Sequence, residues 1–393
     1  MKATILSMDY FGRGIASLDK KTFVRDALPG EEVEINVTRT HKTFDEAEIT
    51  KIYEESPYRI KPECPYYPQC GACSLRSLSY SCSLEYKYEN IKKILNKFID
   101  ENIEVNLVLN KEKTRNKVVF KVVNKEFGFY EVRSNNVCKI DKCLNVKECI
   151  NNIIPNLKSL NIINGEIMVR ANFEDKILIS INSKDKVNID SLLDCKNVVG
   201  IIYNDKNLFG DDYFYEQIND YKFKVSYKSF FQVSNYINSQ IFSILGEEIN
   251  KDCSVLDLCC GVGSLSIAAS HSKKVLGIEV NQSSIKDANY NAKINNVKNV
   301  EFIKADAFAR LKDFKASYDT LIVDPPRSGI KKIGIVDILN AKFKKIIYIS
   351  CNTITLKRDL SLLNEVYKLR KIYILDMFPF TYHSETITVL EKK

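Results

Sequence analysis

No stretch of the 393-residue chain approaches the roughly 18 consecutive apolar residues that a membrane-spanning helix needs. The N-terminus, MKATILSMDYFGRG, has no apolar core of the kind a secretory signal carries. These absences lead to the expectation of a cytoplasmic protein with no membrane partner. Thiols stay reduced in that compartment. The 12 cysteines are therefore expected to bind metal or do chemistry rather than pair as disulfides. Histidine is scarce, with three in the chain, and His383 is read as structural rather than catalytic. No internal repeat or low-complexity tract is present. The formal net charge of +8 is mildly basic, which permits nucleic acid as a partner without demanding it.

A hydrophobic content of 45% is ordinary for a globular protein, and the length favours two or three domains. Residues 1–56 alternate short β-rich runs with turn signals at Gly12, Gly14, Asp19 and Pro29-Gly30. Five short strands with such breaks suit a small barrel of the oligonucleotide-binding type. Residues 57–225 hold a cysteine-rich loop, a helix from about Ser79 to Ile99, and then mostly β structure. VNKEFGFYEV and GEIMVRANFEDKILISINS read as hairpins. From residue 226 to 393 apolar strands alternate with helical periods, which argues for a parallel sheet with helices on both faces. The fold class is thus α/β and β, multidomain, with a Rossmann-like C-terminal unit. A monomer is expected.

VLDLCCGVGSLSIAAS places a strand, a turn with Gly261 and Gly263, and a helix in sequence. Glycines let the backbone turn tightly and let a ligand approach closely. About twenty residues on, the next strand ends in Glu279, placed to accept hydrogen bonds from two ribose hydroxyls. The turn lacks the third glycine of a dinucleotide fingerprint and has Asp257 ahead of it. It also lacks an early phosphate-binding lysine. Together these favour S-adenosylmethionine over NAD or ATP. Asp306, which ends EFIKAD, is placed to approach the adenine.

LIVDPPRSG follows the fourth strand of this unit, and Cys351 ends the next strand, on the same edge of the sheet. Ligands of open α/β sheets bind at that edge. Glu385 lies in the turn before the last strand. A thiol, a carboxylate and a methyl donor define a limited chemistry. Carbon 5 of a pyrimidine is a poor nucleophile until a thiolate adds to carbon 6. A base must then remove the carbon-5 proton so that the thiol can leave. Cys351 is the expected nucleophile and Glu385 the expected base. The thiolate calls for a lowered pKa, with Arg327 and Arg358 as possible local cations.

DLCCGVGS, DPPRSG, YISCNTITLKRDL and FPFTYHSET resemble the RNA uracil-5-methyltransferase family over nearly the whole chain. By motif position, the resemblance implies that Cys351 is the nucleophile and Glu385 the base. It also implies cofactor contacts at Gln232 in SFFQVS, and at Cys259, Glu279, Asp306 and Asp324. Three positions depart from the pattern. Cys259 stands where an aromatic is usual, Ser234 replaces an asparagine, and Thr353 replaces a proline.

ECPYYPQCGACS gives Cys64, Cys70 and Cys73, three thiolates that need a fourth ligand. Spacing alone leaves Cys138, Cys143 and Cys149 open, and leaves zinc open beside an iron–sulfur cluster. TRNKVVF, GFY and IDKC resemble the family segment that ends in its fourth cluster cysteine, which implies Cys143 and a 4Fe-4S cluster. Residues 1–56 resemble a TRAM domain. Family members with both features mostly modify large-subunit ribosomal RNA, so 23S ribosomal RNA is the expected substrate, with uridine 54 of transfer RNA as the alternative. Two other readings stay open: an RNA-binding assembly factor without catalysis, and a methyltransferase of another base such as cytosine.

Overall fold

The β-rich N-terminus closes on itself with six strands, one more than the sequence pattern suggests. The structure, a computed structural model, describes residues 1–314 and 317–393. The strands run in the order Lys2–Thr4, Glu32–Thr40, Phe44–Glu54, Lys21–Arg25, Gly14–Ser17 and Ser7–Met8. Ser7–Met8 is the additional one, with two residues, too short to show any alternation. Ala3, Ile5, Ala16, Val24, Val33 and Ile35 fill the interior. They are small or β-branched and recur at alternate positions, as a narrow barrel requires. The tight turn at Asp9–Gly12 is pinned twice. Asp9 accepts the N–H groups of Phe11 and Arg13 at 3.0 and 2.9 Å, and Gly12 N–H donates to the Tyr86 hydroxyl at 3.1 Å.

Ser79 caps the expected helix, accepting the N–H of Cys82 at 3.2 Å, and the α-helix runs over Tyr80–Leu95. Both expected hairpins are present in a seven-stranded sheet. They are Lys117–Val123 with Glu126–Tyr130, and Gly165–Ala171 with Ile177–Ser183. Helix Tyr80–Leu95 and strand Glu104–Val108 fall within the span 57–225 but are built into the C-terminal unit. The strand pairs in parallel with Tyr367–Leu375. Ile91 and Leu95 of the helix share a core with Leu356 and Leu360. Neither pairing leaves a local signal, because each partner lies some 260 residues away.

The C-terminal sheet has eight strands in the order Val300–Lys304, Lys274–Glu279, Ser254–Leu258, Thr320–Val323, Lys345–Ser350, Glu385–Lys392, Tyr367–Leu375, Glu104–Val108. Its strands are apolar runs because both faces are covered. Ile322, Ile347 and Ile349 point into one core, while Leu321, Val323, Ile346 and Tyr348 point into the other. Strand order reverses between Ser254–Leu258 and Thr320–Val323. At such a switch point the two flanking loops diverge and open a crevice at the carboxyl edge. Glu385–Lys392 is antiparallel to its neighbours, so its first residue, not its last, lies at that same edge. This inversion brings Glu385 beside Cys351.

Candidate active site

Strand Lys345–Ser350 stops because Asn352 begins a helix. Its side chain accepts the N–H groups of Ile354 and Thr355, capping Thr353–Leu363. Ser350 Oγ accepts the N–H of Asn352 at 3.2 Å, which tightens the corner. Cys351 is the residue left at the corner, half-buried, with its thiol at the carboxyl edge. The Asn352 side-chain amide also donates to the Arg327 carbonyl at 3.0 Å, and the Thr355 hydroxyl donates to it at 3.3 Å. The DPPRSG loop is therefore tied to the cysteine corner through the backbone of Arg327. The other candidate cation, Arg358, is occupied elsewhere. It pairs with Asp359 and donates to the carbonyls of Ser328 and Ile330, each at 3.0 Å.

Cys351, Glu385, Asp324 and Arg327 form one electrostatic unit. Burial pushes the Cys351 thiol up to about 11, the carboxylates of Glu385 and Asp324 add to this, and the Arg327 guanidinium opposes it. The sequence reading required a lowered pKa, and the site without RNA has a raised one. The cause is two acids facing one cation. Glu385 is 2% exposed, and burial and Asp324 hold its carboxyl well above the usual range. Its Oε1 has no hydrogen-bond partner among the described residues. A buried, unsatisfied carboxyl oxygen is costly unless a ligand completes it. Removing Arg327 takes away the one lowering influence. In Arg327→Gln, alkylation of Cys351 by iodoacetamide, followed by peptide mass spectrometry across pH, is expected to shift its midpoint upward and to slow several-fold at neutral pH. An unmoved midpoint would remove Arg327 as the local cation.

The glycine turn and its acids lie on the adjacent strands. Gly263, at φ +81°, opens the helix Ser264–Ala268, and a Cβ on it would stand 2.6 Å from Phe302 Cζ. Gly261, at φ +54°, has no atom within 3.9 Å of such a Cβ, so its face is open to a ligand. Glu279 takes the Gly261 N–H at 3.2 Å on one oxygen and the Asn281 N–H at 2.7 Å on the other. Asp306 is exposed and caps the short helix Ala307–Arg310. Asp257 lies behind the turn. It is fully buried, one oxygen accepts the Ser266 hydroxyl at 2.5 Å, and burial raises it to about 7. Gln232 Nε2 reaches Asp324 at 3.5 Å. Cys259, at φ +66°, stands amid Glu279, Asp324, Asp257 and Asp306, and burial with these acids raises its thiol to about 12. Gly261, Gly263, Glu279, Asp306, Asp324, Cys351 and Glu385 thus lie at one edge of one sheet, with Asp257 behind it and Gln232 reaching it from the loop before the helix Asn235–Glu248.

Three aromatic rings at this edge escaped the sequence reading. Tyr10 and Phe11, at the tip of the barrel turn, pack edge-on against Tyr382, with centroids 5.6 and 5.3 Å away. The Tyr10 hydroxyl meets Thr353, next to Cys351. The available signal was DYFG, an adjacent aromatic pair at a turn tip. From there a cleft of about 590 Å³ runs between barrel and cysteine loop, lined by Phe11, Phe23, Tyr382, Arg13, Arg25, Arg39 and Arg133 among others. The His383 ring lies 4.0 Å from Tyr382, tilted by 34°. Burial and the cations Arg327, Arg115 and Lys87 lower it to about 4, so it is neutral at pH 7.

The four cysteines singled out by position, Cys64, Cys70, Cys73 and Cys143, line one small hollow, with Arg76 among its walls. Cys138 and Cys149 do not line it. Cys138 is in the core strand Val137–Lys139, and Cys149 donates to Asp175 at 3.4 Å. Among the described residues no three His, Cys, Asp or Glu side chains are gathered tightly enough to hold a single metal ion. The Nε atoms of Arg76 and Arg115, both close to these thiols, have no hydrogen-bond partner among the described residues.

Comparison with known proteins places this architecture. Residues 79–393 match the tRNA (uracil-5-)-methyltransferase family model, and residues 1–50 match the TRAM domain. An uncharacterized RNA methyltransferase of Aquifex aeolicus is 34% identical, covering 100% of this chain and 99% of its own. One from Clostridium tetani is 32% identical over 98% of this chain and 95% of its own. Among solved structures, the Pyrococcus abyssi tRNA (uracil-54, C5)-methyltransferase, in complex with S-adenosyl-L-homocysteine, superposes with a TM-score of 0.80. It is 25% identical and covers 99% of each chain. The chain belongs to the RNA uracil-5-methyltransferase family and carries that family's enzyme fold behind a TRAM domain.

Proposed function

We propose that the protein methylates carbon 5 of a uridine in RNA through a covalent adduct at Cys351. The observation that carries this is the meeting of Cys351, Arg327 and the partnerless oxygen of Glu385 at one corner of the sheet edge. The Cys351 thiolate adds to carbon 6 of the uracil, and the displaced electron pair makes carbon 5 an enolate-type nucleophile. S-adenosylmethionine supplies an electrophilic methyl group. Glu385 then takes the carbon-5 proton, the ring double bond re-forms, and the thiolate leaves. The Glu385 carboxylate, with one oxygen unpartnered among the described residues, is placed to accept that proton.

Gly261, Gly263, Glu279, Asp306, Asp324, Gln232 and Cys259 are assigned to S-adenosylmethionine. Their acidity complements a ligand with a sulfonium cation. The open face at Gly261 and the exposed side chain of Val280, directly after Glu279, fit a flat apolar ring. Asp257 is assigned to holding the turn through Ser266 rather than to touching the ligand. Cys64, Cys70, Cys73 and Cys143 are assigned to a 4Fe-4S cluster. Four thiols around one hollow fit such a cluster, in which each cysteine binds a different iron. The guanidinium groups of Arg76 and Arg115 would balance its negative charge.

A uracil in a duplex is unreachable, so the target is unstacked or in a loop. The cleft offers Phe11 and Tyr382 for stacking bases and Arg39 for a phosphate, while Arg13, Arg25 and Arg133 are paired with Glu46 and Glu48 of the same cleft. TRAM domain and cysteine set together support 23S ribosomal RNA. The full-length likeness to an enzyme of transfer RNA favours uridine 54 of transfer RNA as the second reading. Tritiated S-adenosylmethionine, with unmodified ribosomal and transfer RNA in parallel, tests both. Label recovered as 5-methyluridine from ribosomal RNA alone is the expected result. Label in transfer RNA alone would overturn the substrate and keep the reaction. No label in either would overturn the reaction.

A further inference from the structure

The turn at residues 376–383, which delivers Glu385 to the site, is held at Asp376 and Phe378 by the helix Tyr80–Leu95, where Lys87 pairs with Asp376 and donates to the Phe378 carbonyl at 2.8 Å, and at residues 379–382 by residues of the two cysteine segments. Ser74 and Leu75 both donate their N–H groups to the Phe380 carbonyl, at 3.1 and 3.0 Å. The Ser74 hydroxyl accepts the N–H of Tyr382 at 3.0 Å. Asn145 uses one amide nitrogen twice, donating to Cys73 Sγ at 3.3 Å and to the Pro379 carbonyl at 3.0 Å. Its carbonyl oxygen accepts from Arg76, whose guanidinium lies 4.4 Å over the Phe380 ring. Phe380 itself has φ +57°, a left-handed conformation that a bulky side chain adopts only where its surroundings impose it. Ser74 and Tyr382 also line the cleft beside the barrel, while Leu75, Arg76 and Asn145 do not.

We infer that Ser74 and Asn145 are positioning residues for the catalytic base: through Phe380, Pro379 and Tyr382 they fix where Glu385 stands over carbon 5. This rests on the reaction assigned above. It gives the cysteine segments a task in the chemistry without electron transfer. Because Asn145 bridges a cysteine thiol and the turn, a change in what Cys73 binds is passed to the base. A base moved by even a fraction of a bond length slows proton removal but leaves thiolate addition and methyl transfer intact. The signature is therefore specific: methylated RNA remains attached to Cys351.

Ser74→Ala, purified anaerobically as the full chain, tests this beside Glu385→Gln as the reference for a missing base. The iron content and visible absorption of Ser74→Ala are expected to match the parent protein. Its KM for RNA should stay within about twofold while kcat falls roughly tenfold or more, the scale that misplacement of a catalytic group brings. RNA adducts stable to denaturant should accumulate as in Glu385→Gln, and Ser74→Thr, which keeps the hydroxyl, should restore turnover. Asn145→Ala should show the same pattern if Ser74→Ala is insoluble. Parent-like kcat, or a loss of activity without adduct, would overturn the inference. So would a loss that only follows iron content. If Glu385→Gln itself traps no adduct, the assigned reaction fails, and this inference with it.

Discussion

Replacing Cys351 by alanine is expected to abolish methylation, with a loss of at least about 10⁴-fold, the scale on which removing a covalent nucleophile acts. Nothing else at the corner can take its place. Ser350 is turned inward, its hydroxyl engaged with Asn352, and Cys259 and Cys260 belong to the glycine turn. The substitution should leave the fold intact, because Cys351 is half-buried and the corner is held by Asn352 and Ser350 rather than by sulfur. Binding of S-adenosylmethionine, measured by calorimetry, should be unchanged, and no denaturant-stable RNA adduct should form. Residual methylation above background would show that carbon 5 is activated without a covalent bond, and would overturn the mechanism. A cell that carries Cys351→Ala and shows normal ribosome assembly would instead give weight to a role in RNA binding alone.

The chemistry was legible in the sequence where it depends on local order. A strand that ends in Ser-Cys-Asn must expose its cysteine at the carboxyl edge, and a glycine turn after VLDL must open toward the next strand's acid. These features need only the periodicity of a parallel sheet and the rule that ligands lie at its switch point. What stayed hidden depends on pairings across long stretches of chain. Strand Glu104–Val108 gives no hint that its partner is Tyr367–Leu375. Tyr10 carries no mark that it will stand beside Thr353, and Asn145 looks like any loop asparagine until Pro379 is placed against it. The departures from the family pattern fare similarly. Thr353, where proline is usual, has a backbone N–H and a hydroxyl, and Tyr10 approaches both. Ser234, in place of asparagine, caps the helix Asn235–Glu248 by accepting the N–H of Ile237 at 3.3 Å. Both replacements are used by the fold, which sequence comparison alone registers only as divergence. The cysteine set was half legible. Three cysteines were bound together by spacing, while the fourth needed either a family likeness or the hollow itself.

Glu385→Gln is expected to convert the enzyme into a trap. The amide is nearly isosteric, so the buried position at the head of strand Glu385–Lys392 should accept it. It removes the base but not the nucleophile. Cys351 still adds to carbon 6 and carbon 5 still becomes methylated, but the proton on carbon 5 has nowhere to go. Water is a poor substitute here, because Glu385 is buried. The thiolate cannot leave until that proton does, so protein and RNA stay joined. Denaturing electrophoresis should show one labelled RNA per protein chain, with multiple turnover reduced on the order of 10²- to 10⁴-fold, the range that general base catalysis supplies. The substitution also removes one of the groups that raise the Cys351 thiol, so the first step should be no slower. Rapid adduct formation followed by arrest is therefore the specific outcome. Normal turnover would mean that another group removes the proton, and Asp324, half-buried and held near pKa 7 by burial, would be the first to examine. Slow turnover without any adduct would place Glu385 before thiolate addition, as the acceptor of the cysteine proton rather than of the carbon-5 proton.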